Sequence, residues 1–271
     1  MAPTAPTPLY KPTADCGAYQ LRYSWTAWPS QLPFSTCPTH LLAEIAPLWE
    51  TDGLRLLESR WLPDKLQLLF STLPHVSPAV VAARAKGRLH FALRKAGLQL
   101  PLSRKVSVRS VGDNTRRDVE AYVESQVGSA DFVDERFANL LSEFQVANDD
   151  VDLSQPAASL HGRYWYNLHL VLVAADRQRT VDAASLRAIR DACLQIVAKK
   201  RHQVSRLAIM PDHLHVALRP GIEESPLEVV FAYQNNLAHM AGGRRMWQDG
   251  YYVGTFGEYS TAAIRKQAEG S

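Results

Sequence analysis

Residues 206–220 read RLAIMPDHLHVALRP, and residues 60–71 read RWLPDKLQLLFS. Both carry a Pro-Asp pair in front of an apolar run, at 63–64 and at 211–212, an offset of 148 residues. His213-Leu214-His215 follows the pair in one stretch and Lys65-Leu66-Gln67 in the other. In an extended strand, residues i and i+2 point to the same face. His213 and His215 would therefore project side by side, close enough to hold one metal ion. The shared Pro-Asp pair raises a further question, whether the chain says the same thing twice.

It does. Aromatic-rich alternating strands open both halves, YQLRYSWTAW at 19–28 and YWYNLHLVLV at 164–173. Each leads into a helical pattern, THLLAEIAPLWE in the first half and ASLRAIRDACLQIVAKK in the second. In both, apolar residues recur at three- and four-residue spacing. After the Pro-Asp strand come SPAVVAARAKGRLHFALRKA and SPLEVVFAYQNNLAHMA, each opening with the Ser-Pro signal of a helix start. KVSVRSVGDNTRRDVEAYVESQ (105–126) then matches GYYVGTFGEYSTAAIRKQAEGS (250–271), with Gly112 against Gly257. Features recurring in one order at offsets of 145 to 148 residues predict a unit of roughly β-α-β-α-β-α, present twice. The expected organisation is a flexible Pro/Thr/Ala-rich lead-in at 1–17, one domain at 18–127, a linker at 128–161 and a second domain at 162–271. The linker should carry one amphipathic helix around 134–146 and a flexible Ser/Pro/Ala tail.

Composition narrows the class. The chain has 271 residues, 46% hydrophobic and 21% charged, an ordinary globular balance. The net charge of +3 permits nucleic-acid binding without demonstrating it. Basic residues cluster at Lys199–Lys200, Arg244–Arg245 and Arg104–Lys105. Cys16, Cys37 and Cys193 make no metal-type spacing, and so sparse a set suits reduced thiols in a cytoplasmic protein. No stretch approaches the roughly 18 uninterrupted apolar residues of a membrane span.

MPDHLHV after a strand-helix unit, then a Ser-Pro helix, then WQDGYYVGTFG (247–257), resembles the TnpA-type single-tyrosine HUH transposases. These include the transposases of small insertion sequences and the REP-associated tyrosine transposases. The resemblance covers nearly the whole chain from about residue 18, as two fused copies. It implies an α+β fold of two tandem ferredoxin-like HUH domains, antiparallel sheets with helices on one face, packed as an internal pseudo-dimer and monomeric in solution. In that family the last helix carries Tyr-x-x-x-Gln. The tyrosine is the nucleophile, and the glutamine joins the two histidines on the metal. The first copy has this pattern in Tyr122 and Gln126, at i and i+4. The second lacks it. Aligned without gaps, Gln267 takes the tyrosine position and Ser271 the glutamine position; a four-residue gap instead sets Gln267 against Gln126 and Ala263 against Tyr122.

The losses are complementary. The first copy has Lys65 and Gln67 where the second has His213 and His215. Family members are homodimers in which one subunit's tyrosine helix serves the other's histidines. In a homodimer every mutation appears in both sites, a constraint that fusion lifts. The resemblance therefore implies one live site, Tyr122 and Gln126 with His213 and His215, and one dead counterpart of Lys65, Gln67 and Gln267.

The chemistry implied is cleavage and rejoining of single-stranded DNA, beside a hairpin, through a 5′-phosphotyrosine link. Imidazole and amide donors suit Mg²⁺ or Mn²⁺ as the cofactor, which would orient the phosphate and neutralise developing charge. Lys199, Lys200, Arg244 and Arg245 could track phosphates, and Trp25, Trp165, Tyr251 and Tyr252 could stack on bases, although Trp25 and Trp165 also suit a core. The remaining histidines, His169 among them, show no partner pattern and receive no role. Two other readings stay open, a decayed transposase that only grips a hairpin and, more distantly, a metal-dependent hydrolase.

Overall fold

The computed structural model describes residues 7–12, 17–30, 39–98, 101–130, 132, 134–160 and 162–262; Ala263, Gln267 and Ser271 lie outside them. The first half runs β1 (Gly17–Gln20), β2 (Arg22–Pro29), α1 (Thr39–Thr51), β3 (Leu54–Leu62), β4 (Lys65–Thr72), α2 (Pro78–Lys95), β5 (Leu102–Val111) and α3 (Arg116–Glu124). The connection holds α4 (Gln126–Ser129), α5 (Glu135–Ser142), β6 (Val146–Ala147) and β7 (Ala157–Ala158). The second half repeats the series as β8 (Gly162–Trp165), β9 (Asn167–Ala174), α6 (Ala183–Lys200), β10 (Gln203–Ile209), β11 (His213–Arg219), α7 (Pro226–Met240) and β12 (Trp247–Phe256).

Each Pro-Asp pair is the turn of a hairpin, with Leu62 opposite Lys65 across the first. Proline offers no N–H to a ladder and suits a turn, so it separates two strands. The unit is thus β-α-β-β-α-β followed by a helix in the first half, one strand more than the periodicity predicts. The result is a mixed α+β molecule with two six-stranded sheets, ordered β3-β4-β2-β5-β8-β7 and β1-β12-β9-β11-β10-β6. No helix among the described residues is long and apolar enough to cross a membrane.

The two long opening strands each break, at Leu21 and at Tyr166, and their first residues cross to the other half's sheet. β1 pairs in parallel with β12, Gly17 opposite Tyr251, while β8 pairs in parallel with β5, Gly162 opposite Val106. Gly17 and Val106 each lie 145 residues before Gly162 and Tyr251, so the exchange is reciprocal. Other cross-half bonds come in matched pairs at that offset. Ser110 Oγ donates to Phe256 O at 2.6 Å, and Thr255 Oγ1 to Val111 O at 2.7 Å. Arg116 N donates to Gly257 O at 2.6 Å, and Thr261 N to Gly112 O at 2.8 Å. Residue i meeting j while j's counterpart meets i's is the mark of a two-fold contact. Here both sides belong to one chain, and buried residues of both halves join in one core, Tyr23 lying 6.1 Å from Tyr166 between ring centroids.

The strands cross so closely that the matched glycines carry the contact. A Cβ on Gly112 would fall on the Thr255 carbonyl oxygen, and one on Gly257 on the Ser110 carbonyl oxygen. Backbone cannot retreat as a flexible side chain can. Gly112→Ala is expected to lower unfolding stability by at least ~2 kcal/mol, by analogy with overpacked cores. Chemical denaturation checks this, and an unchanged midpoint would contradict it.

Two segments expected to be loose carry ordered contacts among their described residues. Tyr10, within the expected lead-in, is buried, its hydroxyl donating to Trp247 O at 2.9 Å and accepting from Trp247 N at 2.8 Å. The expected linker tail contributes β6 beside β10, β7 beside β8, and a fully buried Leu153. Its helix is present but shorter, ending at Ser142.

Candidate functional site

Helix α3 belongs to the first half in sequence and packs on the second half's sheet. A capping box starts it: Thr115 Oγ1 accepts from Asp118 N, and Asp118 Oδ2 accepts from Thr115 N. Val119 and Val123 then lie on one face and pack against Ala208, Ala217 and Phe256 of β10, β11 and β12. Charged pairs fasten the ends, Arg116 with Glu258 at 2.6 Å and Glu124 with Arg206 at 3.2 Å. With its apolar face committed, the helix leaves Tyr122 half-exposed at 50%.

The Tyr122 ring stands edge-on to two imidazoles of the second half, 5.5 Å from His215 and 5.9 Å from His169 between centroids. His213 and His215 share one face of β11, their ring centroids 4.9 Å apart, as their spacing predicts. Tyr252, on the neighbouring β12, closes the other side at 5.8 Å from His169.

Each β11 histidine has one ring nitrogen already engaged. His213 Nδ1 lies 2.7 Å from Asp212 Oδ1, and Asp212 also accepts from Arg177 at 3.2 Å. Arg177 reaches it from a turn in which Asp176 and Arg177 adopt left-handed φ of 52° and 53°. His215 Nδ1 lies 3.1 Å from His169 Nε2. When His215 Nδ1–H donates to His169, the His215 Nε2 lone pair is open; the opposite tautomer would put a proton there. Burial pushes the His215 pKa down to about 3, helped by the two neighbouring histidines, and burial pushes His169 down to about 4. Both rings are neutral at neutral pH, the form that donates a lone pair.

This arrangement fits a metal-binding pair. Ligand histidines characteristically present one nitrogen while the other is held by a carboxylate or another acceptor. Among the described residues no cluster of three or more His, Cys, Asp or Glu side chains is placed to hold a metal, so further donors would have to be of another kind. Gln126 is a candidate by residue type. It begins α4, one residue beyond the Ser125 cap of α3, and its amide nitrogen donates to Tyr122 O at 3.0 Å.

The other expected residues scatter. Lys199 and Lys200 end α6 and lead to Gln203, which pairs with Arg219 at the end of the hairpin away from His213. Lys200 pairs with Glu224 at 2.9 Å. Arg244 and Arg245 precede β12 at the near end, where Met246 O accepts from Ala175 N; Arg245 pairs with Asp249 and stands 5.0 Å over the Tyr10 ring. Tyr251 packs beside Phe231 at 6.4 Å. Trp25 is fully buried. Lys65 and Gln67 take the positions of the histidines in the first sheet: Gln67 pairs with Thr26 as His215 pairs with Val171.

His169 is the functional candidate that the sequence reading passed over. A signal existed. Its counterpart 145 residues earlier is Ser24, so the first copy lacks this histidine as well as the other two.

The sequence model of the family described as Transposase IS200 like matches residues 163–267. No curated protein matches the chain. Among solved structures, a candidate transposase from Deinococcus radiodurans R1 is 20% identical, covering 38% of this chain and 88% of its own, with a TM-score of 0.32. A REP-associated tyrosine transposase bound to a REP hairpin is 12% identical, covering 38% of this chain and 61% of its own, with a TM-score of 0.31. The matched segment holds His169, His213 and His215, whereas Tyr122 lies outside it.

Proposed function

We propose that the chain, whose residues 163–267 match the model of the IS200-like transposase family, nicks and rejoins single-stranded DNA at one composite site shared between its halves. The observation that carries this reading is the seat of Tyr122, brought by a first-half helix to 5.5 Å from His215 of the second half. We read the halves, 18–127 and 162–271, as two ferredoxin-like units packed as an internal pseudo-dimer. The reciprocal strand exchange and matched bonds support that reading.

Tyr122 is the nucleophile. Its oxygen attacks the scissile phosphorus, the bond to the 3′ oxygen breaks, and that oxygen leaves as a 3′-OH after protonation. One phosphodiester replaces another, so the step runs in either direction. His213, His215 and Gln126 would hold a divalent cation, Mg²⁺ or Mn²⁺. Such a cation supplies charge neutralisation at the non-bridging oxygens and orients the phosphate. His169 and Asp212 hold the two imidazoles with their Nε2 atoms open. His169→Phe is expected to weaken Mn²⁺ binding roughly tenfold or more, as loss of an outer partner typically does. His169→Gln, which keeps an acceptor, should retain more. Calorimetric titration checks both, and equal affinity in wild type and His169→Phe would contradict the assignment.

The partner expected is single-stranded DNA with a hairpin. A hairpin-binding protein without chemistry is the second reading, motivated by the absence of a second tyrosine helix with matching histidines in the sequence. Labelled hairpins with single-stranded flanks, incubated with Mn²⁺ or Mg²⁺, decide between them. Cleavage that leaves a free 3′-OH and a protein-linked 5′ end supports strand transfer. Tight binding across a broad hairpin library with no cleavage supports the binder.

A further inference from the structure

The two-fold relation places a counterpart to the histidine site on the first sheet, and that place is rebuilt as well as depleted. Ser24 stands for His169 and Gln67 for His215, while Arg109 replaces Gly254 and Trp165 replaces Gln20. The registers confirm the correspondence: Ser24 pairs with Arg109 as His169 pairs with Gly254, and Arg109 with Trp165 as Gly254 with Gln20. These four first-sheet residues line one cavity of about 320 Å³, with Tyr259 at its rim. Its size falls at the lower end of the range for small-molecule sites.

Within it, the Arg109 guanidinium stands over the Trp165 ring, its Cζ 3.4 Å from the centroid. The indole is itself fixed, its Nε1 donating to Ser154 O at 2.8 Å. Stacking restricts the guanidinium and leaves its N–H donors available to a ligand in the cavity. Among the described residues Arg109 makes no hydrogen bond or close ion pair, although the charges of Tyr259 and Glu258 act on it. The other charged groups on the lining are Glu58 and Arg60, of opposite sign on β3, and Glu258, which Arg116 engages at 2.6 Å. A half-buried, stacked guanidinium beside a carboxylate that Arg116 already engages is a fork for an anion, and phosphate matches it in geometry and charge. Tyr259, 60% exposed, offers a ring beside it for a base.

We propose that this cavity, the two-fold mate of the histidine site, binds a nucleotide of single-stranded DNA through its phosphate on Arg109. The site then grips the strand while the histidine side cuts it. This rests on the single-stranded DNA reading only for the source of the nucleotide.

Thymidine 3′,5′-bisphosphate is the probe, titrated calorimetrically into the full chain. Inorganic phosphate and thymidine run as separate arms. Arg109→Met should weaken bisphosphate binding roughly tenfold or more, the scale of a lost charge-assisted pair. Arg109→Lys, which keeps charge and loses the planar fork, should fall between and serves where the Met variant does not fold. His213→Ala should bind as wild type does. Equal affinity in wild type and both folded Arg109 variants would overturn the proposal, as would a loss confined to His213→Ala. Inorganic phosphate or thymidine binding as tightly as the bisphosphate would also overturn it, since the site would then not read a nucleotide. Hairpin cleavage measured on the same proteins separates the two claims. Cleavage with Arg109-independent binding sinks only this inference, and Arg109-dependent binding without cleavage sinks only the catalytic reading.

Discussion

Tyr122→Phe is expected to abolish hairpin cleavage, by on the order of 10³-fold or more, while leaving hairpin affinity within about twofold. The phenol oxygen is the only atom removed. Tyr122 packs through its ring edges on His169 and His215, and the residues that seat its helix are Val119 and Val123. Removing the hydroxyl of a residue that is 50% exposed leaves those contacts intact, so fold and binding should survive. A gel-shift titration beside the cleavage assay measures both quantities. Cleavage persisting in the phenylalanine variant would place the nucleophile elsewhere.

His215→Ala is expected to cost more than ~100-fold in Mn²⁺ affinity, exceeding the effect of losing an outer partner such as His169. The imidazole is 4% exposed, and burial together with its neighbouring histidines keeps it neutral down to about pH 3. Its Nδ1 is taken up by His169, so the open Nε2 is what the truncation removes. His239→Ala, in the last turn of α7, is the control and should bind as wild type does. Electron paramagnetic resonance of free Mn²⁺ gives the affinities directly, and undiminished binding in His215→Ala would exclude it as a ligand.

Much of this was readable in the sequence. The i, i+2 spacing put His213 and His215 on one face of β11, because it rests on local geometry. The strand exchange was not readable. Side chains alternate through Leu21 and Tyr166 without interruption, and alternation reports a strand's faces, not which sheet its edges join. The extra strand per unit was hidden for a related reason: a Pro-Asp turn inside an apolar run looks like a flaw in one strand. His169 sat between Leu168 and Leu170, both fully buried, as one polar residue on an alternating strand. Its meaning came from the partner 3.1 Å away on the next strand, a tertiary fact. Lys199 and Lys200 failed to join the site because clustering in sequence says nothing of which end of a sheet a helix reaches. Tyr10 was missed since a Pro/Thr-rich surround masks one aromatic anchor.

The central claim is that a first-half tyrosine works with second-half histidines. Mass spectrometry of the denatured protein–DNA adduct, formed on a hairpin substrate with Mn²⁺, tests it most directly. The account predicts a nucleotide remnant on the peptide containing Tyr122, absent when His213 is replaced by alanine. A remnant on Tyr252 or Tyr259, within the second half, would contradict it.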